Sequence, residues 1–408
     1  MRAAEQIVEV LSNLKGGSMK VGQMLSVIDI GLFPEDRRDS FRERLEALCA
    51  QAEPLPFITM RPIIEKALGP LDDAFAEFPD SPIGVASIGQ VYRARLHDGR
   101  WVAVKVQYPG IREAIRSDVR NLKLFGKLLG AQWPTVRDGT LFDEIARNLV
   151  AELDYLREAR SQASAAEAFR GHPYFVIPSV ISGLCADNVL VTEYVDGTPL
   201  ATAAGLPQSE RDLLGEQLFR FYIGTLFERN EFCADPHFGN VLVLGSGRLC
   251  FLDFGQYTYM DPADVARELR LLRAACEGDG ADARATLVDG GVFAADASIT
   301  NDECLAFVRD ASEWTVTDAP LRITSEGVTS SVLLAADPRV TEHEGLRRQR
   351  LPPTHLASRR AEFLAMGLIG RLESEANWHR IAREWIYGDE PATEMGERIA
   401  EWRRRRLN

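Results

Sequence analysis

The sequence predicts an α+β fold with two lobes, a small β-rich one and a helical one, preceded by a helical extension. Three observations predict it. Apolar residues recur at helical spacing near the start, through Ile7, Val10, Leu11 and Leu14. Two apolar runs, Ser87–Leu96 and Trp101–Gln107, flank the turn His97-Asp98-Gly99-Arg100, and Asp-Gly between β-prone runs marks a hairpin. From residue 262 to 402 the pattern is helical again, broken at Gly290-Gly291 and Pro352-Pro353.

Taken in order, residues 1–80 read as helices divided by Pro34 and by Pro54–Pro56. The hairpin follows, then helices over 112–131 and 140–170. Asn188–Val195 reads as a buried strand that ends at Asp196-Gly197-Thr198-Pro199. Residues 207–229 read as an amphipathic helix with Leu214, Leu218 and Phe221 on one face. Two short runs, Val241–Leu244 and Leu249–Leu252, surround Gly245-Ser246-Gly247. This order predicts three parts: a helical extension over 1–80, a β-rich lobe over 81–197 and a helical lobe over 198–408.

Composition excludes some functions. A net charge of -13 argues against a general nucleic-acid binder, which needs a basic surface. The cysteines (49, 185, 233, 250, 276 and 304) form no C-x-x-C pair, which fits reduced thiols and not a zinc site or a disulfide framework. No signal-peptide pattern and no run of 18 apolar residues are present, so the sequence reads as cytoplasmic or peripheral to a membrane. The lysines are Lys15, Lys20, Lys66, Lys105, Lys123 and Lys127, with arginine supplying the other positive charge. A lysine kept in such a sequence suits a single phosphate or carboxylate contact.

The chemistry concentrates in Cys233-Ala-Asp-Pro-His-Phe-Gly-Asn240 and Leu252-Asp-Phe-Gly255. Phosphoryl transfer needs Mg²⁺ bridging phosphates, and Mg²⁺ takes hard oxygen ligands. Kinase-fold enzymes place Asp, four intervening residues and Asn before a hairpin that delivers Asp-Phe-Gly. Asp235, Asn240 and Asp253 have that spacing, giving a catalytic carboxylate and two metal ligands. Trp101-Val-Ala-Val-Lys105 places a lysine at the end of a strand, within reach of phosphates. Its acidic partner is sought in Glu152-Leu-Asp-Tyr-Leu-Arg-Glu158, where Asp154 and Glu158 would share a face of a continuous helix and Glu152 would point elsewhere. In Val189–Gly197, Glu193 and Val195 would offer main-chain groups to an adenine edge, with Thr192 behind them. No G-x-G-x-x-G is present. Gly84, Val85, Ala86 and Ser87 stand where the phosphates would lie, and small residues permit close backbone approach.

On these residues the chain resembles the UbiB family of atypical protein-kinase-like proteins, whose eukaryotic relatives are the aarF-domain kinases linked to coenzyme Q synthesis. Lys20-Val-Gly22-Gln23 is similar to the family's K-x-G-Q signature, Glu152-Leu-Asp154 to its E-x-D motif, and Pro82–Gln90 to its Ala-rich loop. The resemblance implies a bilobal kinase-like fold with the N-terminal extension over the active site. It implies Lys20 drawn toward Glu152 and Asp154, and Glu158 as the partner of Lys105. It also implies ATP and Mg²⁺ as cofactors, an ATPase or unorthodox kinase activity, and an isoprenoid-lipid or other apolar small-molecule partner at a membrane. A K-x-G-Q segment in the substrate groove would hinder phosphorylation of ordinary protein chains.

Departures from the family pattern are Gly84-Val85 in the Ala-rich loop, Cys233 in place of His, Phe238 in place of Pro, and Leu48–Pro54 in place of Gln-Asp-x-x-Pro-Pro. Two alternatives stand beside the leading reading: a pseudoenzyme that binds nucleotide or an apolar ligand, and a small-molecule phosphotransferase. His237 reads as a loop-orienting residue, Cys233 as a small buried one, and Trp402–Arg406 as a solvated tail or a contact to anionic headgroups. Ordinary kinases carry arginine where Ala234 stands, and use it to grip a phosphorylated activation loop. Phosphorylation between Gln256 and Pro262 is therefore expected not to raise turnover. A phosphosite there that raised turnover would contradict this.

Overall fold

The computed structural model of the chain describes residues 54–130, 146–147, 149–295, 298–336 and 353–407. Two compact units emerge. The first comprises the described residues up to Ala168 together with Ile177–Asp196 and Asp253–Gln256; the second takes Phe169–Val176, Gly197–Leu252 and Tyr257 onward.

The first unit is built on an antiparallel sheet. Its strands are β1 (Phe75–Glu77), β2 (Gly84–Ala86), β3 (Gly89–Leu96), β4 (Trp101–Gln107) and β5 (Val189–Glu193). The order is β1-β3-β4-β5, with β2 also paired to β3. The Asp-Gly turn behaves as its residues dictate: Gly99 takes φ +88°, and the Asp98 side chain accepts the Arg100 N–H at 3.0 Å. Strand alternation then divides the side chains. Tyr92, Ala94 and Leu96 of β3 and Val102, Val104 and Val106 of β4 are buried with Met60 and Ile64 of the helix α1 (Phe57–Leu68). Val91, Arg93, Ala103 and Lys105 occupy the other face and are half-buried.

Gly89 starts β3 where the neighbouring strand comes close. A Cβ there would stand 2.1 Å from the Val106 carbonyl oxygen, a backbone atom that cannot swing away. Gly89→Ala is expected to destabilise the chain by about 1–3 kcal/mol, read as a lower denaturation midpoint; an unchanged midpoint would contradict the close approach.

Two expectations for this unit need correction. The helical reading of residues up to 80 fails at its end. Helix α1 stops at Gly69, whose φ is +86°, and Pro70 precedes a single turn, Leu71–Ala74. Phe75 then enters the sheet core opposite Leu96 as part of β1. Burial of that ring overrides the local helical pattern. The helix expected over 140–170 is also not continuous in its described part. After α2 (Ile111–Gly130), the chain turns at Glu152–Asp154 before α3 (Tyr155–Ala168). Two forces make the break. The Leu153 carbonyl is drawn toward the end of β4 and the start of α2, accepting from Gln107 Nε2 and Arg112 Nη2 at 2.9 Å each. The Asp154 carboxylate accepts the Arg157 N–H at 2.8 Å, a capping bond that starts a new helix. Asp154 and Glu158 are thus cap and first turn, not two positions along one helix face.

The second unit is mostly helical. Its first long helix runs from Gln208 to Arg229 with a π-helical turn at Arg220–Gly224. The amphipathic expectation fails here as well: Leu214 through Leu226 are buried all round, including Glu216, Gln217 and Arg220. Burial is tolerated because the charges are paired. Arg220 contacts Glu216 at 2.8 Å and Glu384 at 2.7 Å, so each of these three charges has an opposite partner. The expected hairpin is present, Val241–Val243 against Leu249–Phe251, flanked by Phe175–Val176 and Thr198–Pro199. A second pair joins Glu231–Cys233 to Tyr257–Tyr259. From Pro262 onward helices dominate, as the sequence predicts. Among the described residues, no helix is long and apolar enough to cross a membrane.

Candidate active site

In the first unit the sheet delivers Lys105 to α3. On β4, Lys105 pairs with Val91 of β3 and Leu190 of β5, so its position is set from both sides. Its Nζ donates to Glu158 Oε1 at 2.7 Å, and the Tyr155 ring lies 5.0 Å away. Glu158 is 3% exposed. Burial works against charge on both groups, with different outcomes. For Lys105 the Glu158 and Asp253 carboxylates outweigh burial and hold the ammonium well above its usual range. For Glu158 burial prevails, reinforced by Asp253 and Glu152 and only partly offset by Lys105, and the carboxyl is pushed up to about 7.

Asp253 belongs to the same unit, at the start of the Asp-Phe-Gly segment. Its Oδ1 accepts the Gly255 N–H at 2.9 Å, and Phe254 is buried. A Cβ on Gly255 would meet Asp253 Oδ1 at 3.3 Å and Glu158 Oε2 at 3.5 Å, so the glycine lets the backbone lie against both carboxyl groups. Glu152 accepts from Ser87 Oγ and from Gln256 Nε2, each at 3.1 Å. Gly84, Val85 and Ala86 form β2, and Ser87 begins the turn into β3. Thr192 and Glu193 end β5, where the Glu193 N–H is taken by the Ser179 carbonyl at 2.8 Å. Val195 follows, just beyond the strand.

In the second unit Asp235 follows the strand Glu231–Cys233 and is half-buried. The loop is braced locally. Arg360 Nη2 donates to the Ala234 carbonyl at 3.3 Å, and the Arg371 guanidinium lies 4.4 Å from the Phe238 ring centre. His237 Nδ1 accepts the Gly239 N–H at 3.1 Å, the loop-orienting use expected of it, and Cys233 is buried. Asn240 donates its N–H to the His237 carbonyl at 3.0 Å and accepts the Leu252 N–H at 2.9 Å. Thus Asn240 is held by the residue that immediately precedes Asp253 in the chain. Lys20, Gly22 and Gln23 lie outside the described residues, as do the contacts expected of Lys20 with Glu152 and Asp154.

Tyr155, Gln256, Arg360 and Arg371 were not expected at these places. Tyr155 is embedded in the Glu-x-Asp-Tyr run, but its approach to Lys105 joins residues far apart in the chain, and spacing carries no trace of it. The same holds for Arg360 and Arg371.

The donors fit a magnesium ion with its nucleotide. Among the described residues, no group of three or more His, Cys, Asp or Glu side chains is arranged to hold a metal alone. Mg²⁺ keeps several waters and takes one or two carboxylates plus phosphate oxygens, and Asp253, beside Lys105 and Glu158, offers such a hard-oxygen ligand.

Comparison with known proteins gives a consistent set of likenesses. The ABC1 atypical kinase-like domain is matched by residues 47–286, more than half of the chain. The protein named "Atypical kinase COQ8B, mitochondrial" of Rattus norvegicus is 34% identical over 279 residues, 68% of this chain and 52% of that protein. "Atypical kinase coq-8, mitochondrial" of Caenorhabditis elegans is 29% identical over 406 residues, 95% of this chain and 52% of the relative. The chain thus spans about half the length of these curated relatives. Among solved structures, Rv3197 of Mycobacterium tuberculosis in complex with erythromycin superposes with a TM-score of 0.69 at 28% identity, covering 94% of this chain and 96% of that one.

Proposed function

Because the chain belongs to the ABC1 atypical kinase-like family, the UbiB family, and has its kinase-like fold, we propose that it is an ATP- and Mg²⁺-dependent atypical kinase or ATPase. The observation that carries this reading is the Lys105–Glu158 ion pair at 2.7 Å, with the Asp253 carboxylate acting on both partners. Lys105 holds a phosphate oxygen, and Glu158 keeps its ammonium aimed. Asp253 and Asn240 are the residues that would hold the metal. Bound Mg²⁺ would neutralise charge on the triphosphate as the terminal bond breaks. Asp235 orients the attacking hydroxyl or water and accepts its proton. Gly84, Val85, Ala86 and Ser87 cover the phosphates. Val195 offers its main chain to the base, and Glu193 offers its carbonyl, since Ser179 takes its N–H.

The acceptor side of the proposal rests on the family resemblance. Lys20, Gly22 and Gln23 act with Glu152 and Asp154 as a guard that disfavours protein acceptors. The enzyme then serves isoprenoid-lipid or related small-molecule metabolism, at a membrane surface or in the cytoplasm. The test is phosphate release from Mg·ATP across a panel of isoprenoid lipids and phenolic compounds, with Asp235→Asn as control. Release above that control, stimulated by one class of compound, is expected; release equal to the control throughout would refute the enzyme and leave a binding protein. The solved relative bound to erythromycin favours a second reading, in which this chain also takes a bulky lipophilic ligand. Erythromycin binding measured by calorimetry tests it, and absence of heat at solubility-limited concentration would refute it.

A further inference from the structure

We propose that Glu152 is a positioning residue that latches the turn at Ser87 to the segment following Asp253, so that the phosphate-covering loop and the metal-binding carboxylate are set in place together. The inference rests on the Mg·ATP reading above and adds to it a role for Glu152 and for Gln256.

Both oxygens of the Glu152 carboxylate are engaged, and with different parts of the unit. Oε2 accepts the Ser87 hydroxyl and Oε1 accepts the Gln256 amide, each at 3.1 Å. Hydrogen bonds to an ionised acceptor are the strong ones. Neither donor is on a loose tether. Ser87 and Ile88 form a two-residue turn closed by the Ala86–Gly89 pair. The base of that turn is fixed: Ile88 is 2% exposed, its carbonyl accepts the Tyr108 N–H at 2.9 Å, and Gly89 lies against Val106. Gln256 is 5% exposed and follows Gly255, whose N–H holds Asp253 Oδ1. A shift of Gln256 therefore pulls on the backbone that sets Asp253.

The interruption of the helix at residues 152–154 makes this possible. Leu153 is tied back to the end of β4 and the start of α2 through its carbonyl, and Asp154 caps α3. Glu152 is released from a helical face and can reach both donors. A continuous helix there would have fixed its direction by helical geometry alone. The segment Gly84–Ser87, β2 and the first residue of its turn, lacks the glycine-rich pattern that wraps phosphates in ordinary kinases, so it gains from an external restraint.

The test is a mutant cycle on nucleotide affinity, using the full chain and a non-hydrolysable ATP analogue with Mg²⁺. Gln256→Ala is expected to weaken binding about tenfold in the otherwise wild-type chain. In a Ser87→Ala background, where the latch is already open, the same substitution is expected to cost nothing. An independent readout needs no nucleotide: Gln256→Ala should speed amide exchange over residues 84–89 in the ligand-free protein. Equal costs of Gln256→Ala in both backgrounds, no cost in the wild-type chain, or unchanged exchange over 84–89 would overturn the latch. A wild-type chain that fails to bind the analogue overturns the Mg·ATP reading instead, and the exchange measurement still judges the link between Gln256 and the turn.

Discussion

Asp253→Asn is expected to abolish Mg²⁺-dependent ATP binding. The substitution keeps the size and shape of the side chain, so the Gly255 N–H retains an acceptor oxygen and the buried Phe254 keeps its place. What disappears is one negative charge. Removing a residue that only supports a metal ligand costs about 10–100-fold in metal affinity, so loss of the ligand's own charge should cost at least the upper end of that range. Lys105 and Glu158 sharpen the prediction. Without Asp253 the Lys105 ammonium loses one of the two carboxylates that hold it charged, and Glu158 loses a like charge that raises it. The ion pair should survive while the metal does not bind. Calorimetric titration with ATP, with and without Mg²⁺, reads this directly. Affinity equal to wild type in Mg²⁺ would remove Asp253 from the metal site.

Lys105→Ala is expected to lower turnover by about 10²–10³, the usual cost of losing one preorganised electrostatic contact to a developing charge. Its partner gives the effect a pH signature. Glu158 titrates at about 7 because burial, Asp253 and Glu152 favour the neutral carboxyl. Below that value Glu158 is protonated and Lys105 loses its anchor, so kcat/KM for ATP should fall with decreasing pH, with an inflection near 7. Glu158→Gln should remove the inflection and leave activity low throughout; a profile flat from pH 5 to 8 in the wild type would contradict the coupling. Stability moves the other way. The folded carboxyl binds its proton more tightly than the ordinary value of 4.5, so its contribution is most favourable below 4.5 and declines as pH rises to about 7. Lys105, held above its ordinary 10.5, contributes stability below 10.5 that is lost above it.

Local spacing carried the parts of the site that chemistry ties to a short stretch of chain. Asp235 and Asn240 lie on one braced loop, and the hairpin after them leads to Asp253, as the interval between the motifs requires. The strand ending in Val-Ala-Val-Lys was legible from its alternation. Other features depend on what lies across the fold. Phe75 leaves its helical pattern because a sheet core opposite Leu96 accepts its ring. The helix through Arg220 reads as amphipathic only until Glu384 arrives from far along the chain to neutralise its buried charge. The interruption at Glu152–Asp154 follows from bonds made by Gln107 and Arg112, and it changes what the acidic run can do. Asp154 becomes a cap, Glu158 keeps Lys105, and Glu152 turns to Ser87 and Gln256.

The most direct measurement is ATP binding to the wild-type chain with Mg²⁺ and again with the metal chelated. Binding that requires Mg²⁺, and that disappears in Asp253→Asn while Asp235→Asn retains it, is the result expected of a kinase-like site in which Asp253 takes the metal and Asp235 serves the acceptor. No binding in Mg²⁺, or equal binding with the metal removed, would contradict it.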